Sequence, residues 1–358
     1  MQTMALATTE HQAVSDPSRE IAVSAGTAAE WNAYVLRHPL GTVDHLWQWR
    51  SIFRDVFGHE SEYVVARCGG DVVGVLPLVL FKSRLFGRSV VSLPMLNYGG
   101  LLTDSVDIAG PLVARAGDIA RQFHATHVEL RQEVRLTDLP ARQHKVTVRL
   151  PLPERSHTLW DGLDRKVRNQ VRKAQKGGFT VAWGGTDVME DFYRVFSENM
   201  RDLGTPVYSR RLFTSVLAQF PTQSRICVVS QGGRPVAGGV TLKMNETVLV
   251  PWASSLKAYR HLCPNMLLYW SMLEAAIDGG ARVFDFGRSS PDAGTLQFKL
   301  QWGATPTPQS WEYLLRGTSH IPEHGPSSRR FTMAVESWKK LPLAVANRIG
   351  PAIVRHIP

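Results

Sequence analysis

The chain has 358 residues, 44% of them hydrophobic and 20% charged, an ordinary globular composition with length enough for two domains. Its formal charge of +10 favours polyanionic partners such as nucleic acid, coenzyme A or an anionic membrane surface. Cys68, Cys227 and Cys263 form no CxxC pair, the start of the chain has no basic-then-apolar leader, and no apolar run is long enough to cross a membrane. These features argue against a disulfide framework, a zinc site and a membrane span, and point to a cytoplasmic protein.

Residues 1–25 are polar, small and aperiodic, and are expected to be disordered. Thr27-Ala28-Ala29-Glu30 is a capping box that opens a short helix ending before His38-Pro39. Asp44 is expected to cap a second helix running to Phe57. Tyr63 to Arg67 and Val72 to Leu80 read as strands joined by a Gly69-Gly70-Asp71 turn, a hairpin signal. Ser89 to Leu93 reads as a strand, Ile108 to Ala125 as a helix, and Val128 to Leu130 and Lys145 to Leu150 as two further strands.

The second half repeats that order. Val188 to Leu203 reads as a helix, and Arg225 to Ser230 and Val236 to Met244 as strands joined across Gly232-Gly233-Arg234. Thr247 to Trp252 is the next strand, Met266 to Ile277 a helix and Val283 to Phe286 a strand. Helix, hairpin, strand, helix, strand thus occurs twice, which reads as a duplication, with two unrelated Gly-Gly hairpins as the alternative. In the tail, His320-Ile321-Pro322 and Gly325-Pro326-Ser327-Ser328 have linker composition. Beyond them Phe331, Val335, Trp338 and Leu341 recur at helical spacing, flanked by Arg329, Arg330, Lys339 and Lys340. Such a basic amphipathic helix either lies on an anionic membrane, at its inner face, or packs on its own domain with its charges solvated.

Candidate chemistry concentrates between Tyr259 and Gly303. Pro264 opens an apolar helix that Gly279-Gly280 close. The strand that follows delivers Asp285, Gly287, Arg288 and Ser289 into one small volume, and Phe298-Lys299-Leu300-Gln301-Trp302-Gly303 comes next. A second concentration is Arg165 to Lys176, in which six of twelve residues are basic and none is acidic. On a helix Arg165, Arg168 and Arg172 share one face, and guanidiniums in a row suit phosphates; a solvated helix face is the plainer reading. There is no G-x-G-x-x-G, P-loop or H-E-x-x-H, and His124 and His127 have no third ligand nearby, so no metal is expected. Gly287-Arg288-Ser289-Ser290-Pro291 lacks the second glycine of a nucleophile elbow, which argues against a serine hydrolase.

The Pro264-Asn265 helix start, the Asp285-Phe286-Gly287-Arg288 strand end and Phe298-Lys299 with Trp302-Gly303, in that order, resemble the Fem-type transferases. Within them the chain is similar to the FemAB-like branch associated with exosortase and PEP-CTERM systems. The resemblance runs from Trp31 to Leu315 and takes in Ser92-Leu93-Pro94 through Tyr98-Gly99-Gly100 and Gly204-Thr205-Pro206-Val207-Tyr208. It implies an α/β (α+β) fold of two tandem GNAT-like (acyl-CoA N-acyltransferase) subdomains, with mixed, mostly antiparallel sheets flanked by helices. Laid on this chain, the subdomains are 26–155 and 156–318, the second opened by a basic helix at 161–177, with a linker and basic tail at 319–358. The implied activity is transfer of an activated acyl or aminoacyl group to an amine of a cell-envelope or exopolysaccharide precursor. No tightly bound cofactor is implied: the donor is aminoacyl-tRNA or acyl-CoA, and the acceptor an amine-bearing glycan or peptide.

Acyl transfer to an amine requires a neutral amine, a stabilised oxyanion and two substrates held together. Lys299 matches the lysine that Fem-type enzymes place at the acyl donor and is the first candidate for the oxyanion; a surface lysine snorkelling over Phe298 is the alternative. Arg288 can clamp a phosphate beside it. Asp285 can take the amine's proton, or else pair with Arg288 or cap backbone amides. Tyr208, Trp252 and Tyr259 are candidates for stacking a sugar or adenine ring, or for core, while Asn97, Tyr98, Asn265 and Phe298 are candidates for lining the cleft. Two features depart from relatives. Arg260 to Asn265 has no glycine where acetyl-CoA enzymes of this fold cradle a pyrophosphate, and Pro264 removes a donor there. No long helical pair is inserted in the second copy, which puts a tRNA donor in doubt. The rivals are an acyl-CoA-dependent amino-sugar N-acetyltransferase and a non-catalytic glycan- or nucleotide-binding accessory.

Overall fold

Two sheets divide the chain, and each takes a strand from the opposite half of the sequence. The computed structural model describes residues 21–83, 86–318, 320–322 and 329–357. In chain order the first half supplies β1 (Ile21–Ala25), α1 (Ala28–Arg37), α2 (Trp49–Ile52, running on as a π turn to Phe57), β2 (Ser61–Cys68), β3 (Asp71–Ser83) and β4 (Gly87–Val91). It continues with β5 (Leu102–Thr103), α3 (Ala109–Gln122), β6 (His127–Gln132), β7 (Ala141–Arg142) and β8 (Val146–Pro151). The second half supplies α4 (Ser156–Gly162), α5 (Arg165–Lys176), β9 (Phe179–Gly184), α6 (Met189–Leu203), α7 (Arg210–Gln219), β10 (Ser224–Gln231), β11 (Arg234–Met244) and β12 (Thr247–Ser255). Then come α8 (Pro264–Asp278), β13 (Val283–Ser289), α9 (Gly294–Leu300), β14 (Thr305–Pro308) and β15 (Ser310–Leu315), and after them α10 (Arg329–Lys339) and α11 (Leu343–Val354).

The first sheet runs β1-β2-β3-β4-β6-β15-β7 with β5 on β3, and the second runs β14-β8-β13-β12-β11-β10-β9. Pairing is parallel between β4 and β6 and between β12 and β13, and antiparallel elsewhere. β8 pairs with β13 in the second sheet, and β15 pairs with β6 in the first. The ranges 26–155 and 156–318 therefore exchange a strand each, and neither half completes its sheet alone. The expected duplication is visible in the hairpins. Gly69 and Gly70 have φ of 59° and 97°, and Gly232 and Gly233 have 55° and 78°, the left-handed pairs that a two-residue hairpin turn demands.

α3 covers one face of the first sheet through Leu112, Ala116 and Ala120. α8 is apolar on nearly every side and lies between the second sheet and α5, which buries Val167, Val171 and Ala174 against it. The largest core joins the halves, gathering Trp31, Trp49 and Phe53 from one and Phe192, Phe213, Phe220 and Trp252 from the other.

Two expectations change. Ile21–Ala25 is no irregular lead-in but an edge strand on β2; residues 1–20 lie outside the described residues. Asp44 does not cap a helix: it sits fully buried in a 3-10 turn, and its carboxylate accepts the N–H groups of Asn97 at 2.9 Å and Tyr98 at 3.1 Å. α7 and β9 carry no counterpart in the sequence reading, although Ser209 caps α7 and Leu212, Phe213, Val216 and Leu217 form its buried face. The tail packs on the body. Gly204 lies against Val335, Arg201 donates to the Leu341 carbonyl at 3.1 Å, and His59 of the first half bonds the Arg355 carbonyl at 2.8 Å. Of the expected linker segments, Gly325-Pro326-Ser327-Ser328 lies outside the described residues.

Candidate active site

β12 and β13 pair only over Thr247–Leu249 and Val283–Asp285, then diverge. β12 stays bonded to β11 as far as Ser255, so its other edge from Val250 onward faces open space. Pro251 falls in a bulge of the β11–β12 ladder, where a missing N–H costs no regular ladder bond. The opening is a cleft of about 770 Å³ lined by this edge, by Pro264 and Asn265 at the start of α8, by Phe298 and Lys299 of α9, and by Asn97 and Arg288.

The floor of the cleft is a bulge. Opposite β8, β13 gains a residue between Asp285 and Arg288, and Gly287 turns left-handed with φ 69°. Asp285 accepts the Gly287 N–H at 2.7 Å, and Asn97 Oδ1 accepts the Arg288 N–H at 3.0 Å. Lys299 Nζ donates to the carbonyls of Gly287 and Arg288, both at 3.0 Å. A Cβ on residue 287 would lie 2.7 Å from Asn97 Oδ1, so both the backbone angle and the space require glycine.

First-half residues set the other end of this network. Asp285 Oδ2 accepts the Tyr98 hydroxyl at 2.6 Å and Arg149 Nε at 2.9 Å, and Arg149 also pairs with Glu133 at 2.7 Å. Asp285 is 1% exposed with both oxygens engaged, so it anchors the bulge and is not free to take a proton from the cleft. With Tyr98 it faces a separate cavity of about 210 Å³ between the halves, which Glu133 and Arg149 also line. Burial pushes the Asp44 carboxyl up to about 7, against the pull of the Tyr98 and Asn97 N–H groups and with a further push from Asp285.

Lys299 and Arg288 share the cleft. Lys299 is buried, which lowers its ammonium to about 8; Arg288 pushes the same way and Asp285 opposes. Two of its three N–H bonds hold the bulge, which leaves one for a ligand. Arg288 is half-buried with its guanidinium 5.2 Å from the Trp311 ring centroid. α5 turns its basic side outward beside the cleft, which Gln170 reaches; Arg165 lines a shallow surface depression and Arg172 lies over Trp160. Arg168 is half-buried on the same helix. Of the aromatic candidates Phe298 lines the cleft, whereas Tyr98 and the three candidates for ring stacking do not. Trp252 packs on Trp49 and Phe213, Tyr208 on Phe57 and Phe196, and Tyr259 under Arg234. Arg260, Asn199 and Ser254 line the cleft without having been singled out, and Asn199 donates to Ser254 Oγ at 3.1 Å. Arg149 was also missed, although a lone cation inside Val146-Thr147-Val148-Arg149-Leu150 is a legible sign of a buried partner.

Residues 163–300 match the family model of an acetyltransferase (GNAT) domain. The fold is a tandem GNAT-type fold. The chain is similar in structure to FemX, with a TM-score of 0.64 and 15% identity over 82% of this chain and 97% of that one. It is also similar to the C-terminal domain (DUF2156) of a putative lysylphosphatidylglycerol synthetase from Agrobacterium fabrum, with a TM-score of 0.56 and 12% identity over 80% and 91%. A conserved protein of unknown function from Bacteroides thetaiotaomicron gives a TM-score of 0.58 and 11% identity over 83% and 100%. No curated protein matches the chain in sequence.

Proposed function

We propose that this protein is a Fem-type N-acyltransferase that binds an activated acyl or aminoacyl carrier in the β12–β13 cleft. It passes the group to an amine of a cell-envelope or exopolysaccharide precursor. The observation that carries this reading is the charge of the cleft. Arg260, Arg288 and Lys299 line it, and no carboxylate does among the described residues. Such a lining suits a carrier whose handle is phosphate, coenzyme A or the end of a tRNA. The free edge of β12 suits an extended, amide-bearing arm that adds to the sheet. The start of α8 is short of backbone donors, because Pro264 has no N–H and the Met266 N–H is bonded to the Cys263 carbonyl at 3.0 Å. The carrier's phosphates therefore rest on side chains, Arg260 first among them. The fold likeness to FemX supports the reading.

In the reaction the amine nitrogen attacks the carrier's carbonyl carbon. A C–N bond forms, and the C–O or C–S bond to the carrier breaks. Negative charge gathers on the carbonyl oxygen in between, and the remaining N–H of Lys299 is the donor that meets it. The nitrogen's surplus proton leaves on the carrier's oxygen or sulfur, relayed by a substrate group, since the described lining offers neither a carboxylate nor an imidazole.

Titration calorimetry with coenzyme A and with charged tRNA, followed by an assay of label transfer to an amine, tests this. One carrier is expected to bind, and Lys299→Met is expected to bind it with turnover reduced by roughly 10²–10³. Failure of both carriers to bind, or full turnover in Lys299→Met, would overturn the proposal.

A further inference from the structure

The seam between the halves gathers a second set of cations. Arg131 of β6 and Trp311 of β15 are cross-strand partners, and the Arg131 guanidinium lies 4.3 Å from the indole centroid. Arg288, arriving from the bulge of the other sheet, sets its guanidinium 5.2 Å from a ring centroid of the same tryptophan. His144 packs edge-on against that residue with centroids 4.6 Å apart, and its neighbour Lys145 donates to Ser290 Oγ at 2.7 Å. Segments distant in sequence thus bring Arg131, Arg288 and Lys145 around Trp311.

Carboxylates do not balance them. Glu129 bonds Arg131 Nε at 2.6 Å, and Asp44 is within electrostatic reach of Arg288. Arg131 is 3% exposed, yet its Nη1 has no hydrogen-bond partner among the described residues. The Nη1 of Arg288 is buried and unpartnered in the same way. Burial, and then the Arg131 charge, pull Arg288 down to about 10, and burial followed by Arg288 and Arg131 lowers Lys145. Even so, guanidiniums keep their charge at neutral pH. Buried charged donors are rarely left unmet, and the acceptor that satisfies two guanidiniums and an ammonium is an oxyanion.

We infer that Arg288, Arg131 and Lys145 form a binding site for an oxyanion, a carboxylate or a phosphate, carried by the acceptor. Arg288 belongs both to this cluster and to the cleft lining. An anion held there stands beside the bulge carbonyls that Lys299 grips, while Arg260 remains for the carrier's phosphates. The acceptor class is then an anionic amine, such as a peptide with a free carboxylate or a phosphate-bearing amino sugar. A neutral amino sugar lacks the required group. The word acceptor rests on the acyl-transfer reading; the anion site does not.

The test is calorimetric titration of inorganic phosphate and of acetate into the full chain, with coenzyme A and charged tRNA titrated in parallel. Arg288→Gln is a suitable variant because the Arg288 guanidinium makes no hydrogen bond among the described residues, so its loss breaks none; a urea midpoint checks that the variant is folded. Lys145→Met is the second variant. One of the two anions should bind the wild type saturably, and Arg288→Gln should weaken it by about tenfold or more, with a smaller loss in Lys145→Met. Phosphate as the preferred anion marks a phosphorylated acceptor, and acetate marks a carboxylate. Arg260→Gln should leave the anion affinity unchanged. Absence of binding to the wild type, equal binding in wild type and Arg288→Gln, or loss in Arg260→Gln alone overturns the inference. If the anion titrates as expected and neither carrier binds, the acyl-transfer reading falls and the anion site stands.

Discussion

Tyr98 and Asp285 lie 187 residues apart, and the tyrosine hydroxyl donates to the carboxylate at 2.6 Å across the seam between the halves. Through this bond, and through Asn97 on Arg288, the first half holds the bulge whose carbonyls Lys299 grips from α9. Tyr98→Phe removes the donor and leaves Asp285 its bonds to Arg149 and the Gly287 N–H. We expect a loss of roughly 1–2 kcal/mol in urea unfolding. Turnover should fall by more than that loss of stability explains, as the bulge loosens. Wild-type kinetics in a destabilised Tyr98→Phe would show that the contact serves the fold alone.

Gly287→Ala meets two penalties, a left-handed backbone angle worth about 1–2 kcal/mol and a clash with Asn97 Oδ1. Asn97→Ala removes the clash but also the acceptor for the Arg288 N–H. The two substitutions should therefore be non-additive, with the double variant less destabilised than the sum of the singles. Additive losses in a double-mutant cycle would refute this packing.

Lys299 has its ammonium lowered to about 8 by burial. If the cation is the form that meets the oxyanion, kcat falls as pH rises through about 8. Lys299→Arg, which stays charged, should retain part of the activity and lose that descending limb. The sign for stability is the reverse. The native state releases the proton below the unfolded value of 10.5, so the cost of burying the charge is full below about 8 and is relieved between about 8 and 10.5. A pH–rate profile and urea midpoints across this window check both statements.

Asp44 is raised to about 7 by burial, so its neutral form is the one the fold favours. Its contribution to stability is fully present below the ordinary value of 3.8 and is lost as pH rises through about 7. Asp44→Asn keeps an oxygen for the Asn97 and Tyr98 N–H groups without the charge. The variant should gain on the wild type at pH 8 and lose that advantage near pH 4, as read from denaturant midpoints. A constant difference across pH would rule out this titration.

The exchanged strands make a prediction about fragments. A piece ending at residue 155 leaves β6 without β15 and carries β8 without β13; a piece starting at 156 has the converse defect. Neither should unfold cooperatively alone, whereas the two co-expressed should associate and regain a single transition. A cooperative transition in an isolated half would contradict the mutual dependence of the sheets.

The expected two-copy fold is observed, and its parts were legible wherever the signal is local. Gly69-Gly70 and Gly232-Gly233 announce hairpins, and Pro264 with Gly279-Gly280 bracket α8, because turn and cap chemistry acts over a few residues. Of the cleft candidates, Lys299, Arg288, Asn97, Asn265 and Phe298 line it, while Tyr98 faces the other cavity. Trp252, Tyr208 and Tyr259 were candidates for stacking or for core and pack with the core, since an aromatic ring at a strand end looks the same in sequence whether its neighbour is solvent or core. Asp44 passed for a helix cap because its true partners, the N–H groups of Asn97 and Tyr98, are more than fifty residues away.

By itself, then, the sequence determined the two Gly-Gly hairpins, the main helices and strands that follow them and the excess of positive charge, all properties of short windows or of simple counts. Only the tertiary structure decided that β8 and β15 trade places, that Asp285 anchors a bulge and does not face the cleft, and that Arg131 and Arg288 converge on Trp311. The physical reason is that strand exchange and buried ion networks depend on which distant surfaces exclude water together, and no periodicity along the chain records that choice.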